Sequence, residues 1–108
     1  MDLGSKQCVP CEGGVQPFTA EQAKPYLAVV PGWSIDADGK SIARAFKFPD
    51  FKKALAFVNA IGALAEAEGH HPDLELGWGR VRVELSTHAI KGLSENDFIL
   101  AYKINQLS

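Results

Sequence analysis

The middle of the chain carries one long helical pattern, which limits the possible folds more than any other feature. Asp50 is a predicted N-cap, and Gly69 is a predicted left-handed terminator. Between them, apolar residues recur at the helical period: Phe51, Ala54, Leu55, Val58, Ile61 and Ala65. Because an amphipathic helix must bury its apolar stripe, the rest of the chain has to supply a second layer for it.

Two pairs of alternating segments, one on each side of this helix, predict that the second layer is a sheet. The first pair turns at Asp38-Gly39, and the second can turn at Gly79-Arg80. Turns this short make each pair antiparallel. Alternation is carried by Trp33, Ile35, Ile42, Phe46 and Phe48 in the first pair and by Leu74, Leu76, Val81, Val83 and Leu85 in the second.

Shorter helices are predicted near both ends of the chain. Thr19 and Gln22 form a capping box for a short or kinked helix, and Ser94 and Asp97 form one for a helix over residues 95–106. The last helix is apolar over much of its surface, so we expect a partner subunit to cover part of it. The order α-β-β-α-β-β-α predicts an α+β fold, a four-stranded antiparallel sheet with helices on one face. This domain spans residues 19–108, after an irregular lead-in over residues 1–18.

Composition and charge exclude several functional classes. The 108 residues are 46% hydrophobic and 22% charged, which is typical of one folded domain. A net charge of −2 argues against nucleic-acid binding. Nothing near the N-terminus resembles a signal peptide, and no apolar run could cross a bilayer, so we expect a cytoplasmic protein without membrane contact.

Two cysteines occur in the lead-in as "CVPC", Cys8 and Cys11. Redox chemistry expects a strand before such a motif, and too few residues precede it to form one. A zinc site completed by His70 and His71 is a minority interpretation. We favour a mobile segment with two reduced thiols.

The three histidines are the strongest indication of chemistry. His70 and His71 follow the end of the long helix, and His88 follows the strand that pairs back from them. Antiparallel pairing brings residues 72–74 close to residues 85–87, so the three imidazoles should meet in space. Glu66 lies one helical turn before His70 and could face it. Clustered imidazoles suit general acid/base catalysis.

Metal binding is the rival interpretation of this cluster. Adjacent histidines in an extended strand point to opposite faces, and the spacings of common zinc sites are absent, so we predict no metal site. The other candidates have purely structural interpretations as well. Asp97 is explained by helix capping, Glu66 by a solvated helix face and Trp78 by a position in the core. Only the histidine cluster indicates a functional role rather than a structural one.

The segments "EAEGHHPDLELGW" and "GRVRVELSTHAIKGLSEND" resemble the signature of the pterin-4a-carbinolamine dehydratases. One departure is Leu74, where some members carry Trp, so the pocket wall is expected to differ. The lead-in resembles extensions found in bacterial members and lies outside the signature. The matching positions, at the spacing of that signature, are Glu66, His70, His71, Pro72, Trp78, His88 and Asp97.

The resemblance implies an enzyme that dehydrates 4a-hydroxytetrahydropterin to quinonoid dihydropterin and so recycles the pterin cofactor of aromatic amino acid hydroxylases. It implies His70 as general acid, His88 as the second acid/base and His71 as a pterin-binding residue. Glu66 and Asp97 would orient imidazoles, and Trp78 would help shape the site. No cofactor or metal is implied. A homodimer or homotetramer is expected, and the alternative is a non-catalytic dimerisation or assembly module of the same fold.

Overall fold

The structure is a computed structural model that describes residues 2–10 and 15–108. Its helices and strands follow the order predicted from the sequence, with two additional 3-10 turns at Leu3–Ser5 and His88–Ile90. The elements are α1 (Ala20–Leu27), β1 (Ser34–Ile35), β2 (Ile42–Lys47), α2 (Phe51–Glu68), β3 (Asp73–Gly77), β4 (Arg80–Leu85) and α3 (Glu95–Leu107).

The four strands form one antiparallel sheet in the spatial order β1-β2-β4-β3. The two hairpins are therefore joined through β2 and β4, which pair from Ile42↔Leu85 to Lys47↔Arg80. One face of the sheet is buried beneath the helices, where Val81, Val83 and Leu85 are fully inaccessible. The predicted α+β fold with this sheet is confirmed.

Helix ends are formed by the residues that the sequence indicated. Thr19 and Gln22 make both hydrogen bonds of a capping box at α1. The Asp50 carboxylate accepts the Lys53 N–H at 2.9 Å at the start of α2. Gly69 ends α2 at φ 67°, a left-handed conformation that a side chain would strain. The chain therefore turns sharply just before His70.

Both hairpin turns differ from the predicted ones. In the first, β1 ends at Ile35, and the Asp36 carboxylate accepts the Ser41 N–H and O–H, so a wider loop replaces the two-residue turn at Asp38-Gly39. In the second, Gly77 pairs with Arg80, and the turn residues are Trp78 and Gly79 rather than Gly79 and Arg80.

A long-range contact explains the position of the second turn. The carbonyl of Gly79 accepts the Phe48 N–H at 2.9 Å. A Cβ on Gly79 would lie 2.8 Å from the Phe48 carbonyl oxygen, so the two backbones approach too closely for a side chain. This contact fixes Gly79 inside the turn.

The buried stripe of α2 is rotated from the predicted one. Ala54, Ile61 and Ala65 are buried as expected, whereas Phe51 and Leu55 are 44% and 40% exposed. Phe57, which the predicted stripe omitted, is buried because its ring packs against Phe46 and Phe48, with centroids 4.7 and 5.1 Å apart.

We expected a partner subunit to cover part of α3, but the apolar face of this helix does not need one. Phe98, Ile99, Leu100, Ala101 and Ile104 are buried within the single chain. Part of that cover comes from the lead-in, where Leu3 is 1% exposed and joins the core. The large apolar side chains that do remain exposed in the described core domain include Phe51, Leu55, Leu76, Trp78 and Leu107.

The described part of the lead-in is held against α2 and α3 rather than left unattached. Lys103 donates to the Lys6 carbonyl at 2.6 Å and to the Glu68 carboxylate at 2.7 Å. Glu68 in turn accepts the Cys8 N–H at 2.8 Å. Cys11 lies outside the described residues. No helix within residues 2–10 and 15–108 is long and apolar enough to span a bilayer.

Candidate active site

A cavity of ≈ 350 Å³ opens where four segments of the chain meet. These segments are the lead-in, the end of α2, the end of β4 with the following 3-10 turn, and the first turn of α3. The volume lies at the lower end of the range for small-molecule sites. All three histidines line it, so the structure brings together His70, His71 and His88 as the hairpin argument predicted.

His70 is the most firmly held of the three imidazoles. Its Nε2 lies 2.6 Å from Oδ1 of Asp97, and the two side chains are 12% and 0% exposed. The contact joins residues 27 positions apart. A carboxylate at this distance fixes the orientation of the ring and leaves Nδ1 as the nitrogen for proton transfer.

Asp97 combines this contact with the capping role that its position predicted. Its Oδ2 accepts the Ser94 N–H at 3.0 Å, which is the capping bond, and the Thr87 O–H at 2.8 Å. The carboxylate is therefore anchored by the start of α3 while its other oxygen holds His70. One side chain therefore makes both the capping contact and the contact with His70.

His71 pairs with Glu66 through a short contact between Nε2 and Oε2. We expected Glu66 to face His70, but the sharp turn at Gly69 carries His70 to α3 and leaves His71 beside α2. Both partners are largely exposed, at 60% and 78%, so water screens their interaction. His71 is held less rigidly than His70.

His88 begins the 3-10 turn that follows β4 and is exposed. The turn is closed by the Thr87 N–H, which donates to the Gly92 carbonyl at 2.8 Å. Within the described part of the chain, its ring makes no hydrogen bond or ion pair. The ring is therefore accessible to a ligand in the cavity.

Pro72 and Trp78 do not line this cavity. Pro72 directly precedes β3, where its missing N–H is tolerated at a strand start. Trp78 is 70% exposed in the turn at the opposite end of β3 from the histidines. Within a single chain, the structure does not bring Trp78 to the cluster.

Cys8 lies near the cavity but has the properties of a structural thiol. Burial, followed by the nearby Glu68 carboxylate, raises the pKa of Cys8 to about 12, so it is a poor nucleophile and metal ligand at neutral pH. Its Sγ donates to the Asn96 carbonyl at 3.5 Å. Among the residues described, no group of three or more His, Cys, Asp or Glu side chains is placed to hold a metal ion.

Several lining residues were not predicted from the sequence. The only sequence feature that connects Thr87 and Asn96 to the site is that each directly precedes a predicted site residue. Val9 and Pro10 carry no signal at all, because only long-range hydrogen bonds place them at the cavity. The arrangement as a whole offers one fixed imidazole, two more accessible ones and a few hydroxyl and amide groups, which suits proton transfer to and from a small ligand.

Comparison with known proteins identifies the family of this chain. The model of the family described as "Pterin 4 alpha carbinolamine dehydratase" matches residues 16–107. A relative from Halorhodospira halophila is 53% identical over 99% of this chain and 98% of its own length. One from Methylococcus capsulatus is 50% identical over 98% of this chain and 93% of its own length. Both are provisionally named pterin-4-alpha-carbinolamine dehydratase.

Solved structures show the same fold. A Brucella melitensis protein titled transcriptional coactivator/pterin dehydratase has a TM-score of 0.80 and 33% identity, covering 85% of this chain and 98% of its own. A pterin dehydratase-like RuBisCO assembly factor of the alpha-carboxysome has a TM-score of 0.63 at 24% identity, covering 73% of this chain and 92% of its own. The profile match and the full-length relatives together show that this chain belongs to the pterin 4 alpha carbinolamine dehydratase family.

Proposed function

We propose that this protein dehydrates 4a-hydroxytetrahydropterin to quinonoid dihydropterin and water. The observation that carries the proposal is the meeting of three imidazoles at one cavity, with His70 fixed by a fully buried carboxylate. Family membership and the names of the full-length relatives support the same reaction. The reaction would serve to recycle the pterin cofactor of an aromatic amino acid hydroxylase.

The reaction needs one proton donated and one removed. The C4a–O bond breaks as the hydroxyl takes a proton and leaves as water. The N5–H proton is removed, and its electron pair forms the C4a=N5 double bond. The reaction requires no net proton, metal or prosthetic group, so a pair of imidazoles is sufficient chemistry.

We assign the donor role to His70, acting through Nδ1 because Nε2 is engaged with Asp97. His88, whose exposed ring also lines the cavity, would take the N5 proton. His71 would bind the pterin, with Glu66 orienting its ring and Asp97 orienting that of His70. Pro72 and Trp78 keep the supporting roles that the family signature implies. Trp78 could reach such a site only from another subunit.

The test is a direct dehydration assay on chemically generated 4a-hydroxytetrahydropterin, followed by absorbance and compared with the uncatalysed rate. His70→Ala and His88→Ala should each lower kcat by about 10²–10⁴-fold, because each removes one proton-transfer group. His71→Ala should mainly raise KM. Circular dichroism should show all three variants folded. Full activity in the His70→Ala/His88→Ala double variant would contradict the assignment.

The same assay separates catalysis from the alternative of a non-catalytic dimerisation or assembly module. Such a module needs no imidazole cluster at a cavity, and the likeness to the carboxysome assembly factor shows the fold alone. A wild-type protein that leaves the uncatalysed rate unchanged would favour the assembly role.

A further inference from the structure

A segment of the lead-in, residues 6–10, ends at the wall of the cavity and is here called the strap. The strap is attached along its length. Lys6 pairs with Glu95 at 3.0 Å, and the Cys8 N–H donates to Glu68 at 2.8 Å. Its last two residues, Val9 and Pro10, line the cavity with the histidines.

Asn96 clamps the strap at the cavity through both polar groups of one peptide residue. The Asn96 Oδ1 accepts the Val9 N–H at 3.0 Å, and its Nδ2 donates to the Val9 carbonyl at 2.5 Å. The Asn96 side chain is 4% exposed, so the clamp lies in a setting where hydrogen bonds are costly to break. Asn96 directly precedes Asp97, which holds His70, so the first turn of α3 contacts both the strap and His70.

The Val9 side chain itself is left uncovered. It is 63% exposed, although its backbone is bonded on both sides. The cavity lining is otherwise polar, and besides Val9 and Pro10 its only apolar side chain among the described residues is Ala89. Small-molecule sites combine a few polar groups with apolar surface that covers the ligand. At this cavity, the strap residues Val9 and Pro10 are the candidates for that surface.

We propose that Val9 and Pro10, held by the Asn96 clamp, form the apolar wall against which one face of the bound pterin ring packs. This rests on the proposed function. The wall contacts the ring equally in the ground state and in the transition state, because it carries no group that moves a proton. Val9 is thus a substrate-binding residue, and Asn96 is a positioning residue.

A matched pair of variants tests the wall. Val9 and Val15 are both exposed valines of the lead-in, at 63% and 54%, and Val15 does not line the cavity. Val9→Gly should raise KM for the carbinolamine roughly three- to tenfold while kcat stays within about twofold, as expected for lost uniform binding. Val15→Gly should match wild type. Affinity for 7,8-dihydrobiopterin, measured by calorimetry, should fall with Val9→Gly by the same factor as KM rises.

Asn96→Ala tests the clamp separately. It should speed hydrogen exchange of the Val9 amide and raise KM in the same direction as Val9→Gly. Equal constants for the Val9→Gly and Val15→Gly variants, or a fall in kcat at unchanged KM, would overturn the wall while leaving the proposed dehydratase intact. A wild-type protein that neither binds 7,8-dihydrobiopterin nor accelerates dehydration would overturn the dehydratase, and the wall with it.

Discussion

At the scale of single residues, Asp97 carries the closest link between folding and the proposed chemistry. It accepts from the Ser94 N–H, the Thr87 O–H and His70 Nε2, and it is fully buried. A carboxylate can serve three donors with two oxygens, whereas an amide has one oxygen and an NH₂ group that must face one of those donors. The site therefore tolerates little change at this position.

Asp97→Asn should accordingly affect both stability and catalysis. We expect a loss of about 1–3 kcal/mol in the free energy of unfolding, because one buried donor loses its acceptor. We also expect kcat to fall at least about tenfold, with a smaller change in KM, because His70 loses its fixed orientation. Urea titration and steady-state kinetics measure the two effects.

The control is the same substitution at Asp50, an N-cap remote from the cavity, where Asn caps about as well as Asp. Asp50→Asn should leave both quantities near wild type. If Asp97→Asn lowered stability alone and kept the wild-type kcat and pH–rate profile, Asp97 would be a structural cap without a positioning role.

The local sequence pattern predicts the capping contact of Asp97 but not its contact with His70. Its capping of α3 is local, since Ser94 lies only three positions away. Its contact with His70 spans 27 positions and depends on the path of the chain after Gly69. The family resemblance implies that Asp97 orients an imidazole, and the structure shows that the imidazole in contact with Asp97 is that of His70.

At the scale of elements, the attachment of the lead-in to α2 and α3 depends on Glu68. Burial acts to raise the pKa of Glu68, but hydrogen bonds from the Lys103 ammonium and the Cys8 N–H outweigh it, so the pKa lies below its ordinary value of 4.5. The Glu68 and Lys103 side chains are only 11% and 19% exposed, so water screens the pair weakly.

The lowered pKa of Glu68 determines how the stability of the protein changes with pH. A lowered carboxyl pKa contributes stability that is present above about pH 4.5 and is lost as pH falls through the folded-state value. Glu68→Gln should therefore lower the unfolding free energy by about 1–2 kcal/mol at pH 7, and the difference from wild type should shrink at lower pH. Denaturant titrations at pH 7 and pH 3 measure it.

Glu21→Gln is the matched control, because Glu21 pairs with Lys24 on the surface, where the side chains are 81% and 69% exposed. It should change stability little at either pH. A Glu68→Gln deficit that stayed constant from pH 7 to pH 3 would show that charge does not hold the lead-in.

The sequence predicted elements correctly where the signals are local. The structure differs from the prediction where contacts between distant residues determine the path of the chain. The N-caps at Thr19 and Asp50 depend on neighbouring residues and were correct. The second hairpin turn moved by one residue because Gly79 meets Phe48, and the lead-in was expected to be loose because its partner Glu68 lies 60 positions from Cys8. Alternation and capping cannot report such pairings.

At the scale of the whole molecule, the exposed apolar side chains favour self-association. Phe51 and Leu55 lie on adjacent turns of α2, on a face that the single chain leaves open, and Leu107 at the end of α3 is 42% exposed. Self-association would bury this surface. We propose a homodimer or homotetramer with the exposed face of α2 at an interface.

Leu55→Glu tests this arrangement, because a charge on that face is solvated in the free chain but unpaired in an apolar interface. We expect light scattering coupled to size exclusion to give a smaller mass than for wild type, with helical content retained. Ala37→Glu places the same charge at an exposed position of the first hairpin loop, away from α2, and should keep the wild-type mass. If Leu55→Glu kept the wild-type mass as well, the α2 face would be excluded as an interface. If dissociation also raised KM for the carbinolamine, the cavity would depend on a neighbouring subunit. A neighbouring subunit is the only route by which Trp78, exposed at the far end of β3, could take part in the site.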